Sequence, residues 1–194
     1  MKRPTHDTIK DRIRAGLVRV VARRGIGATS VGAVAKEAGV SAGTIYLHFE
    51  GKTDLLQKVY LQIKSEFHAI MVAAKVETDS KAMIHRMWRD MFAYATAHPF
   101  DFLFIEYAGA AQVLTDDQAA HVADFQIEIA AMLQRAVDDR TLAPLPVTVI
   151  TTLLVAPAMH LARKSALNGQ PIDPSQLELT FQRVWISIAN TQPL

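Results

Sequence analysis

Apolar residues recur along this chain at intervals of three and four, the period of an α-helix, and nowhere settle into the two-residue alternation of a strand. Ile9, Ile13, Leu17 and Val20/Val21 share one face, while Lys10, Arg12, Arg14, Arg19 and Arg23 lie elsewhere. That pattern predicts an amphipathic helix of about five turns, stopped by Gly25 and Gly27. Thr29 or Ser30 can cap a short helix through Val31, Val34, Ala35 and Ala38, which Gly39 breaks. Ser41 can cap another, carrying Ile45, Tyr46 and Phe49 and ending at Gly51. A long helix then starts near Lys52 or Thr53, with Leu56, Val59/Tyr60, Ile63, Phe67, Ile70/Met71 and Ala74 as its apolar face.

Further helices are predicted near 80–97, 100–112, 116–139, 147–167 and 174–191. His98-Pro99, Asp116-Asp117, Pro144/Pro146 and Gly169–Pro174 mark their joints. The predicted fold is all-α, with about nine helices in all. Its expected domains are an N-terminal three-helix helix-turn-helix domain over residues 1–52 and a larger helical domain over 53–194.

Composition narrows the class. Half of the residues are hydrophobic, enough for a sizeable core. The absence of cysteine excludes a disulfide framework, thiolate zinc sites and thiol redox sensing. Met1 to Asp11 is polar and basic, without the apolar stretch of a signal peptide, so a cytoplasmic location is expected. Thr141 to Ala162 carries no formal charge, but its apolar part, Val147 to Leu161, would extend only about 22 Å as a helix. A bilayer core needs about 30 Å, so a buried helix is expected and no membrane.

The net charge of +2 hides an uneven distribution. Residues 1–52 hold ten Lys or Arg against four Asp or Glu, a net +6, while residues 53–194 hold eleven against fifteen, a net −4. A basic head on an acidic body suits a polyanion bound at one end.

The run Ser30–Phe49 reads helix, glycine turn, helix. Ala35 is small enough for two helices to cross closely, Gly39 can take a positive φ, and Val40 and Ile45 can plug the corner. This is the arrangement whose second helix enters the major groove of DNA. Ser41 and Thr44 place hydroxyls at its start, and Tyr46, His48 and Lys52 offer further polar tips. The outward positions Gly32, Ala33 and Ala42 carry no long polar side chain, so bidentate base reading is scarce. Specificity is expected to lean on Thr44, Lys36, the backbone and DNA shape.

Ala35, then Ala38-Gly39-Val40-Ser41-Ala42-Gly43-Thr44-Ile45-Tyr46-Leu47-His48-Phe49, then Lys52, Leu55 and Leu56 resembles the DNA-binding signature of the TetR/AcrR family. Gly25 and Thr29-Ser30-Val31 fit it as well, and the resemblance spans roughly residues 8–56. It implies phosphate contacts from Tyr46, His48 and Lys52, and phosphate held by Thr29 and Ser30. It also implies that Thr44 and the backbone at Ala42-Gly43 face the groove. The partner would be a double-stranded DNA operator, and the chain a ligand-responsive regulator, most simply a repressor.

By the same resemblance residues 53–194 bind a ligand and dimerise. Aromatic and sulfur side chains with scattered polar tips suit a pocket for a small hydrophobic or amphipathic effector. The candidates are His85, Trp88, Phe92, Phe104, Tyr107, Met132, Met159 and His160. His85, His98, His121 and His160 lie too far apart for a short metal-ligand spacing, so no metal and no cofactor is expected. A homodimer through residues 147–167 and 174–191 is predicted from two stripes. One is Leu177, Phe181, Val184/Trp185 and Ile188; the other is Val149, Leu153/Leu154 and Leu161. No P-loop, GxSxG, HExxH or CxxC is present, so no enzyme is expected. The alternative is an architectural or nonspecific DNA-binding protein.

Overall fold

The computed structural model describes residues 8–190. The polar start Met1–Asp7 and Thr191, the last residue of the expected final helix, lie outside the described residues. The described residues form helices α1 (Ile9–Arg24), α2 (Val31–Ala38), α3 (Ala42–Tyr46), α4 (Lys52–Val72), α5 (Ser80–Ala97), α6 (Pro99–Ala110), α7 (Asp116–Asp138), α8 (Val147–Asn168) and α9 (Pro174–Ile188). A 3-10 turn, Ala73–Val76, follows α4. No strand occurs among them, only one isolated bridge between Leu142 and Ala189.

Packing divides the chain into two compact units: residues 1–64 with 100–115, and residues 65–99 with 116–194. This is a partition by contact, distinct from the functional boundary expected at 52/53. Helix α4 contributes residues 52–64 to the first unit and 65–72 to the second.

In the first unit, α1 opens on a reciprocal cap. Thr8 Oγ1 accepts from the Asp11 N–H at 3.2 Å, and Asp11 Oδ2 accepts from the Thr8 N–H at 3.1 Å. The bond from the Thr8 hydroxyl, then that from its backbone, holds the Asp11 carboxyl below its ordinary pKa. Ile13, Leu17 and Val21 are fully buried on the inner face of α1. The close crossing of α1 on α2 falls at Gly16, where a Cβ would stand 3.0 Å from Ala38 Cβ and from the Ala38 backbone N. Sequence reasoning assigned that role to Ala35, which is buried. In the same unit Arg14 bonds Asp101 of α6 at 2.7 Å, and Gln57 of α4 donates to the Val113 carbonyl at 2.9 Å.

The second unit joins the end of α4 to α5, α7, α8 and α9. Met83, Ile84 and Trp88 of α5, Leu133 and Ala136 of α7, Ile150 and Ala158 of α8, and Phe181 and Ile188 of α9 are buried. Helix α8 stays continuous through Pro157. Part of the expected dimer stripe therefore belongs to the chain's own core: Phe181, Val184 and Ile188 are buried, as is Leu154. The large apolar side chains that α8 and α9 leave exposed are Val149, Val155, Leu167, Leu179 and Ile186. No described helix is long and apolar enough to cross a membrane.

Candidate functional site

The turn between α2 and α3 is fixed from three directions. Gly39 stands at φ +64°, the left-handed conformation that closes a helix at low cost without a Cβ. The Val40 N–H donates to the Ala35 carbonyl at 3.0 Å. Arg12 reaches over from α1 and donates to the carbonyls of Ala38 at 2.9 Å and Gly39 at 2.6 Å. Sequence reasoning missed Arg12; on α1 it reads as one more solvated cation, and only the fold sets it against the turn. Ile45 is fully buried and plugs the corner, whereas Val40 is only half-buried.

Helix α3 is short. Its cap is Ser41, whose Oγ accepts from the Thr44 N–H at 3.0 Å and lies 2.8 Å from Thr44 Oγ1. Leu47 to Phe49 continue as a hydrogen-bonded turn in which the Phe49 N–H donates to the Ile45 carbonyl at 2.9 Å. Burying Ile45 and Phe49 turns the intervening residues outward. Tyr46 is 58% exposed and Leu47 81%. Ala42 and Gly43 are exposed, and Thr44 and His48 half-buried, with the His48 ring edge-on to Phe49. Leu47 was overlooked because an apolar residue in a helical pattern reads as core.

The remaining expected DNA contacts fall in the same unit. Lys36 on α2 is exposed, and Ser30 caps α2 by accepting from the Ala33 N–H at 3.2 Å. Lys52 is half-buried and its Nζ donates to the Gly27 carbonyl at 3.2 Å, leaving two ammonium hydrogens. Thr29 corrects the reading from the sequence. It is only 4% exposed and its hydroxyl donates to the Gly25 carbonyl at 2.8 Å, so its side chain closes the preceding loop. At the start of α4, Asp54 Oδ2 accepts from the Glu50 N–H at 2.9 Å and from Lys58 at 2.8 Å. Burial alone would raise the Asp54 pKa; the Lys58 and Glu50 bonds outweigh it and lower it.

The second unit holds a cavity of about 130 Å³ between the end of α4, α5, α7 and α8, open to solvent on the side of Val155. Of the eight expected pocket residues it takes Trp88 and Met159. The other six are placed elsewhere. Phe92 and Met132 are buried near it without lining it, and His160 is exposed. Phe104 and Tyr107 belong to the first unit, where Phe104 is fully buried with its ring 6.5 Å from that of Tyr60. His85 lines a separate surface depression between α5 and α9, 3.1 Å from Glu178 and with its ring tilted 39° against that of Phe181 at 4.6 Å. Its bond to Glu178 heads the interactions that lower the Glu178 pKa. The cavity wall instead draws on Phe67 and Met71 of α4, Met87 and Met91 of α5, and Ile129 and Leu133 of α7. Their four-residue spacings were visible, but the same spacing serves a filled core. Among the described residues no three metal-ligating side chains cluster.

An exposed recognition element behind a locked turn, on an all-helical chain with a separate cavity, defines a helix-turn-helix regulator class. Residues 13–59 match the bacterial regulatory proteins of the tetR family, and residues 80–189 match a tetracyclin repressor-like C-terminal domain. The chain belongs to the TetR family of DNA-binding transcriptional regulators. An uncharacterized HTH-type transcriptional regulator of Haemophilus influenzae is 33% identical over 92 residues, 47% of this chain and 49% of that protein. The fatty acid metabolism regulator protein of Bacillus subtilis is 38% identical over 66 residues, 34% of this chain and 32% of that protein. These matches thus span half or less of those relatives' length. A TetR family transcription regulator of Marinobacter aquaeolei shares the fold, with a TM-score of 0.83 at 23% identity over 95% of this chain and 97% of that one.

Proposed function

We propose that this chain is a cytoplasmic, effector-responsive repressor that binds a near-palindromic operator as a homodimer. The observation that carries the reading is the exposure of Tyr46 and Leu47 on an element whose turn is held by Gly39 and Arg12. Ser30, Lys36, Ser41, Thr44, Tyr46, His48 and Lys52 would meet the DNA backbone and groove edge, together with the main chain at Ala42 and Gly43. Thr29 would act through its neighbours, since its hydroxyl is already bonded. The exposed Leu47 would offer an apolar contact to a thymine methyl, the kind of base reading open to a helix poor in long polar side chains.

The homodimer would form through α8 and α9, where Val149, Val155, Leu179 and Ile186 remain to be covered. Two copies would set their recognition helices about 34–36 Å apart, one turn of DNA. The effector would be a small hydrophobic or amphipathic molecule in the cavity around Trp88. Helix α4 supplies Phe67 and Met71 to that cavity and Lys52 to the first unit, so it is the coupling element. A ligand that prefers another setting of α4 would shift the half-site separation and weaken DNA binding, a reciprocal coupling between two sites.

Selection from a random-sequence duplex pool followed by footprinting tests this reading. The expected product is one short two-fold symmetric site protected over two half-sites. Equal affinity for selected and random duplex would replace the repressor with an architectural DNA binder.

A further inference from the structure

The cavity wall is chemically one-sided. Twelve side chains line it; eleven are aliphatic, aromatic or thioether, and the twelfth is Thr151. No Lys, Arg, His, Asp or Glu takes part. The cavity opens to solvent beside Val155, but an ionised group seated against its wall would give up hydration there and meet no counter-charge. Trp88 is 3% exposed, and its ring rather than its buried indole N–H forms part of this wall. In volume, about 130 Å³, it is close to an engineered apolar cavity of about 150 Å³ that admits benzene. Four of the lining residues are methionines, Met71, Met87, Met91 and Met159, whose flexible thioethers adapt to a guest's outline. Selection in this cavity is therefore by polarity more than by shape.

From this wall we infer that the cavity takes a neutral, mainly hydrocarbon ligand the size of one ring or a short alkyl chain, and rejects free carboxylates and ammonium ions. The inference rests on the effector reading above and narrows it from hydrophobic or amphipathic to neutral.

Three probes of equal length decide the matter: 1-hexanol, hexanoate and hexylammonium, each titrated at pH 7 into the full chain. The chain has two tryptophans, so Trp185→Phe leaves Trp88 as the sole fluorescent reporter. The melting temperature of the unsubstituted chain gives a second readout. Hexanol is expected to change Trp88 emission and raise the melting temperature, with both ions binding at least about tenfold more weakly. Ile129→Phe, which fills the cavity, should weaken hexanol at least about tenfold while the chain keeps its far-UV circular dichroism and cooperative melt. Hexanoate or hexylammonium binding as tightly as hexanol would overturn the proposal, as would the absence of any hexanol response in either readout. Hexanol binding without any change in operator affinity would support the cavity chemistry and sink the coupling to DNA. Failure of hexanol to bind leaves DNA recognition standing.

Discussion

At the helix-turn-helix a Cβ added to Gly16 would stand 3.0 Å from Ala38, whereas around Trp88 four helices leave about 130 Å³ unfilled. Both regions are built from the same kinds of apolar side chain at the same helical spacing. They differ in what the packing serves. A recognition element must be held rigidly to meet a duplex in one register, so α1 and α2 cross without room to spare and Arg12 secures the turn. A binding cavity must keep space that closer packing would stabilise by filling. Tightness marks the helix-turn-helix, and slack marks the helices around Trp88, where the proposed effector would sit.

The largest test adds bulk to both regions. Gly16→Val should lower unfolding free energy by about 2 kcal/mol, because its neighbours include backbone that cannot move aside. Ile129→Phe, beside existing space, should stay within about 0.5 kcal/mol of the parent. Urea unfolding measures both, and equal losses would break the contrast.

Next is Arg12→Ala, which strips two carbonyls of the turn of their donor. About 1 kcal/mol of stability should go, an exposed guanidinium being worth less than a buried one. DNA affinity should fall by more than that stability loss alone explains, readable by fluorescence anisotropy alongside a thermal melt. Unchanged affinity would mean that the turn keeps its shape without the clamp.

Lys52→Ala sharpens the comparison from the electrostatic side. Removing one phosphate contact should flatten the plot of log affinity against log salt by about 0.9. The same slope in parent and variant would confine Lys52 to its bond with the Gly27 carbonyl.

The smallest effect is at the first turn of α1. The Thr8 bonds hold the Asp11 carboxyl below its ordinary 3.8, so the folded form favours the carboxylate more than the unfolded one does. That stabilisation is full above pH 3.8 and is lost as pH falls through the lower folded value. Asp11 is largely solvated, so the contribution is a few tenths of a kcal/mol, about the size of a capping-box interaction at a screened surface. Asp11→Asn should remove this acid-sensitive part from the melting curve below pH 4; an identical acid profile would show that the cap contributes nothing there.

Much was legible in the order of residues, for physical reasons. The 3.6-residue period gave every helix to within a few positions, because burying one face of a helix imposes that period. Gly39 marked the turn because the positive φ there disfavours other side chains, and the run Gly39–Phe49 marked the family. The uneven charge pointed to the end of the chain that holds the recognition element. Tertiary structure alone decided the rest. Thr29 turned inward to Gly25, Arg12 settled on the turn, and Leu47 was left exposed. The cavity took Trp88 and Met159 but left Phe104 and Tyr107 in the other unit. An apolar side chain obeys the same periodicity whether it faces a neighbour, a void or water. Which of the three it meets depends on helices distant in sequence, and that is settled only when they pack.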